Sequence, residues 1–130
     1  MISKRENVMR FVAMGISLAF LSVSAAMAGD DVMSGYYGNT AIAKGGMADT
    51  HTVYSADHTF DMKVPSFGME FKGTWKIDGN NLCRTYEKTP PGVTNPFCTP
   101  IEAHKVGDTW TENLPDNKGT ITMAITAGRS

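Results

Sequence analysis

Between Met69 and Ile77 the side chains alternate, with Phe71, Gly73, Trp75 and Ile77 on one side and Lys72, Thr74 and Lys76 on the other. Successive residues of an extended chain point to opposite faces, so this run is a strand with one buried and one wet face. Gly73 in the inner row leaves room for the Trp75 ring or bends the strand. Asp78-Gly79-Asn80-Asn81 follows, a cluster suited to tight reversal. Leu82, Arg84 and Tyr86 then alternate with Cys83, Thr85 and Glu87, which completes a hairpin. Thr50–Tyr54 and Thr59–Val64 predict a second hairpin around Ser55-Ala56-Asp57-His58. Thr120–Thr126 predicts a last strand, with Ile121, Met123 and Ile125 turned inward.

From Lys88 to Phe97 three prolines and a glycine exclude a central strand, so an irregular loop is expected there, with a strand around Cys98 to Ala103. Asp30 to Tyr37 is the one place for a short helix. Roughly six to eight short strands at intervals of about 10 residues suit an antiparallel meander closed as a small barrel, with a compact sandwich as the alternative. The fold expected is therefore all-β, one domain over residues 29–130.

The first 28 residues have a different character. Lys4, Arg5 and Arg10 give a positive opening, the stretch from Phe11 to Ala25 carries no charge, and Ala26-Met27-Ala28 places small residues at a peptidase site. That order defines a secretory signal peptide. The apolar run is shorter than the 20 or so residues of a membrane span, so no stable span is expected after cleavage, and the product is expected in the periplasm or secreted. The remaining chain has nine Lys or Arg against twelve Asp or Glu, spread singly. Without a clustered cationic surface, nucleic-acid binding is not expected.

Cys83 and Cys98 both lie in the exported part. In an oxidising compartment two lone cysteines are most simply one disulfide. Neither a Cys-x-x-Cys spacing nor a neighbouring His favours a redox or metal pair.

With the strands placed, a set of short motifs stands out: Gly38-Asn39-Thr40, Gly73-Thr74-Trp75, Asp78-Gly79, Leu82-Cys83 with Cys98, and Val106-Gly107-Asp108. In these the chain resembles small secreted proteobacterial proteins grouped as lipocalin-like β-barrels of unknown function. The resemblance implies a barrel fold and an exported compartment, and it supplies no catalytic or binding residue.

Three function classes are open to such a domain. The first is non-enzymatic binding of a small apolar ligand or an envelope protein, by a monomer that needs no cofactor. Its candidate contact residues are Tyr36, Tyr37, Trp75 and Trp110, with Trp75 the expected core anchor. An open cavity above about 300 Å³ would favour a ligand or enzyme role, and a filled interior a structural or interaction role. The second is a small-barrel enzyme of lyase or cyclase type acting on an apolar substrate. No Gly-x-Ser-x-Gly context marks a nucleophile, and no carboxylate pair is located. The third is copper binding through soft thioether and imidazole ligands, with Met47, His51, Met62 and Met69 as candidates, although Met is also an adaptable core filler. His51, His58 and His104 are otherwise expected on the surface.

Overall fold

A computed structural model describes residues 29–130. The predicted leader at 1–28 lies outside the described residues. Eight strands follow one another in chain order: β1 Thr40–Lys44, β2 Thr50–Tyr54, β3 Thr59–Val64, β4 Met69–Asp78, β5 Asn81–Tyr86, β6 Phe97–Pro100, β7 Thr109–Asn113 and β8 Thr120–Thr126. All pair antiparallel in one sheet ordered β6-β5-β4-β3-β2-β1-β8-β7. The meander curls into a half-barrel, and among the described residues its first and last strands in that order, β6 and β7, do not hydrogen-bond to each other.

The sequence periodicity translates directly into this sheet. β4 has its predicted inner row Phe71, Gly73 and Trp75 buried and its outer row exposed. Asp78 pairs with Asn81, so Gly79 and Asn80 alone make the turn into β5. Gly73 is bracketed by Phe60 on β3 and Tyr86 on β5, and those two rings meet edge to face over it, centroids 5.2 Å apart. A Cβ at Gly73 would also fall on the Thr85 carbonyl oxygen. The glycine thus makes room both for the aromatic pair and for the close approach of β5. Phe60, Phe71, Trp75, Leu82, Tyr86 and Ile125 fill the concave side.

Both ends are stoppered by irregular chain. At the end where β2 passes into β3, residues 29–38 fold across the opening. The short helix expected from Asp30 to Tyr37 is a single 3-10 turn, Asp30–Met33, with Met33 at 0 % exposure. Burying a side chain of that size contributes about 1.5–3 kcal/mol, so this segment belongs to the core. The opposite end is closed by the proline-rich connection. There Pro90 is buried, Val93 packs on the core, and the Asn95 amide bonds both backbone groups of Tyr86 at 3.0 and 3.1 Å.

Cys83 and Cys98 form the expected disulfide. They are direct cross-strand neighbours on β5 and β6, so the bond staples the edge strand β6 to the sheet. The strand expected at Cys98 to Ala103 is shorter, ending at Pro100, because the chain leaves the sheet there. The loop spans 15 residues, for which loss of loop-closure entropy in the unfolded chain predicts about 3 kcal/mol. Urea unfolding of the Cys83→Ser, Cys98→Ser double variant should show a loss of about that size. A change below about 1 kcal/mol would contradict it.

Candidate functional site

The edges of the half-barrel bring polar side chains to its inner face. Leu82, Arg84 and Tyr86 alternate inward on β5, and β7 turns Trp110 and Glu112 inward opposite Met123 and Ile121. Where these two edges approach, Arg84, Glu112, Tyr36 and Tyr54 line a cleft with apolar walls from Leu82, Ile101 and Met123. Its free volume is about 40 Å³, room for a few water molecules. The Arg84 Nη1 donates to the Tyr54 hydroxyl at 3.2 Å, and the guanidinium carbon lies 5.3 Å from the centre of the Phe97 ring. The Arg84 Nε is buried and has no hydrogen-bond partner among the described residues.

Burial opposes the Arg84 charge, but Tyr54, Tyr86 and Glu112 nearby favour it and hold its pKa above the already high arginine value. Tyr54 is pushed above the ordinary phenol value by burial, against the pull of Arg84. Tyr36 is raised too, first by burial and then by Tyr54 and the carboxylates around it. Its hydroxyl donates to the Glu102 carbonyl at 3.0 Å. At neutral pH both phenols are therefore uncharged, and among the described residues Glu112 is the one carboxylate lining the cleft. Glu112 accepts the Trp110 indole N–H at 2.8 Å.

The four aromatic candidates separate into two places. Tyr36 is buried, meets Tyr54 edge to face at 6.0 Å and lines the cleft. Tyr37 is half-buried and lies 6.0 Å from the Trp75 ring. Trp75 is 2 % exposed and donates its indole N–H to the Ser55 carbonyl at 3.0 Å. Trp110 is half-buried on the inner side of β7. Tyr36 and Trp110 thus belong to the seam, while Tyr37 and Trp75 belong to the end cap.

Two histidines stack on the two tryptophans: His58 stays on the surface, as expected, with its side chain 42 % exposed, while His104 is more covered. His58 lies 4.1 Å from Trp75 and 13° from parallel, and His104 lies 3.5 Å from Trp110 and 8° from parallel. Each is also oriented by an aspartate: Asp30 at 2.7 Å from His58 Nε2, Asp108 at 3.3 Å from His104 Nδ1. His58 Nδ1 faces the Trp75 carbonyl at 3.0 Å. Carbonyl and carboxylate are both acceptors, so the two His58 bonds form together only on the doubly protonated ring. These contacts join residues 17 and 6 positions apart through a turn and a loop, and no local pattern announces them.

The copper candidates do not converge. Met47 sits 81 % exposed at the β1–β2 turn. On adjacent strands His51 pairs with Lys63 and Thr52 with Met62, so His51 and Met62 face opposite sides of the sheet, Met62 into the core. Met69 lies half-open at the start of β4. Among the described residues no group of three His, Cys, Asp or Glu could hold a metal ion.

Over 88 residues the chain is 27 % identical to a glycogen synthase of Rhizobium etli, a match covering 66 % of this chain and 18 % of that protein. At that identity and coverage the match identifies no family. No family model matches the chain, and no solved structure matches it.

The raised phenols have a consequence for alkaline stability. Tyrosines of the unfolded chain lose their protons near pH 10, whereas Tyr36 and Tyr54 in the folded chain keep theirs. The stability these groups contribute is present below pH 10 and lost as pH rises beyond it. Tyr36→Phe removes one hydrogen bond, costing about 1 kcal/mol near neutrality. The decline of that variant above pH 10 should nevertheless be shallower than the parent's, as read by urea unfolding from pH 7 to 11. Parallel declines would refute the assignment.

Proposed function

We propose that this chain is a non-catalytic binding domain of the cell envelope, exported behind the leader at residues 1–28, and that it engages a partner through its surface instead of enclosing an apolar molecule. The observation that carries this reading is the filled interior. Phe60, Phe71, Trp75, Leu82 and Tyr86 occupy the space a ligand would need, and the cleft's 40 Å³ falls far below the 300 Å³ or so of a ligand pocket. A structural disulfide supports an oxidising compartment.

The convergence of Arg84, Glu112, Tyr36 and Tyr54 is the one feature that favours the small-barrel enzyme. It supports that reading weakly. Two of the four groups are phenols raised away from neutral pH, the third is a fixed cation, and an apolar substrate has no space beside them. Their arrangement suits holding one small polar group. Copper binding draws no support from the placement of its candidate ligands.

Native mass spectrometry of the protein isolated from its own envelope compartment tests the proposal. The expected species begins near Gly29, is oxidised at both cysteines, and includes a fraction carrying a protein or peptide partner. Recovery with a stoichiometric small apolar molecule, or without any partner, would overturn it.

A further inference from the structure

The hydrogen-bonded ladder stops at β6 and β7, and the two ends are unlike. Leu114 donates its N–H to the Gly119 carbonyl at 2.8 Å and Ile125 donates to Asp108 at 3.2 Å. Antiparallel ladders alternate, so Trp110 and Glu112 turn their backbone groups to β8. Thr109, Thr111 and Asn113 turn theirs to the open side. On β6, Ile101 donates to the Asn80 carbonyl at 3.0 Å. The same alternation engages Phe97 and Thr99 with β5 and leaves Cys98 and Pro100 facing out.

Proline has no N–H to give, so β6 is a blunted edge, four residues long and flanked by Pro96. β7 has no proline, no lysine and no bulge within its length, and its one charged residue is the inward-turned Glu112. Its bulge lies just before it, at Gly107-Asp108, where Gly107 at φ 96° donates to the Ile125 carbonyl.

We propose that the open edge of β7 is the docking site, taking one extended strand of a partner protein that presents a carboxylate side chain to Arg84. The proposal rests on the binding reading above and names its site and its partner. An added strand forms its ladder with Thr109, Thr111 and Asn113, as in other strand-addition complexes. Its alternate side chains then point into the seam. There the buried Arg84 Nε lacks a partner among the described residues. The Nε itself is enclosed, so a carboxylate in the cleft meets Arg84 through the part of its side chain that lines it, as a charge-assisted pair.

The cleft volume suits a carboxyl group and excludes a ring. Glu112 on β7 fixes where the acid belongs. Like charges directly opposite repel, so the incoming carboxylate stands across from Trp110 and not across from Glu112. The phenols of Tyr36 and Tyr54 are neutral and do not oppose it.

The experiment uses the full oxidised domain and the peptide acetyl-Thr-Val-Thr-Asp-Thr-Val-Thr-amide, with a twin carrying Lys in place of Asp, and reads amide exchange by NMR. At millimolar peptide the Asp form should slow exchange at Thr109, Thr111 and Asn113 at least tenfold, and the Lys twin should not. Thr111→Pro removes an N–H that the β8 ladder does not use, so it should preserve the fold and abolish the effect. Arg84→Met should bring the two peptides within twofold of each other.

Equal protection by both peptides, or none by either, would overturn the proposal, as would protection of the same amides by rising protein concentration alone, which would make a second copy the occupant. Protection of another face would overturn the β7 assignment and leave the binding reading standing. Failure of that reading shows separately, as protein recovered from the envelope without a partner.

Discussion

The rings of Phe60 and Tyr86 meet above Gly73, and the half-barrel is organised around that contact. A glycine between two large aromatics lets three adjacent strands curve tightly, because the space its side chain would fill is taken by its neighbours' rings. Tyr54 and Phe71 extend the contact on either side, with ring centres 6.2 Å from Phe60 and 6.4 Å from Tyr86. Aromatic side chains bring large buried areas and fixed geometry together. A chain of this size can bury one inner face and little more. Filling that face with rings is what stabilises the sheet, and it is also what removes the cavity.

That trade governs what the domain can do. The ends are stoppered by Met33 on one side and by Pro90 and Val93 on the other, and Arg84, Glu112, Tyr36 and Tyr54 come together at the seam between β6 and β7. The seam is also where the backbone ladder is incomplete. A filled core with one open edge suits recognition by extended polypeptide better than enclosure of a small molecule. The disulfide fits the same logic, since it anchors the blunted edge strand on one side of the seam.

Much of the sheet was legible in the residues. β2, β3, β4, β5 and β8 follow from alternation and turn chemistry, because each side chain of a two-faced strand reports its own side. The inward place of Arg84 was also legible, since it shares a row with Leu82 and Tyr86. β1 and β7 were not read. Ala41-Ile42-Ala43 is too uniformly apolar to show two faces, and Thr109 to Asn113 has one large apolar residue among polar ones. The row that Trp110 and Glu112 form around Thr111 is the signal that points to the acid facing the seam. The His58–Trp75 and His104–Trp110 stacks depend on how loops return across the barrel ends. Tertiary packing decides that, so neither stack is legible in the residues.

The central claim is that the barrel is filled but open along one side, and amide exchange in the dilute, unliganded domain tests it most directly. Residues whose N–H serves the β7–β8 ladder, Trp110 and Glu112, should exchange slowly, while Thr109, Thr111 and Asn113, which alternate with them, exchange at rates close to those of an unstructured chain. Uniformly slow exchange along all five residues would mean that the edge is already covered, and the account would be wrong.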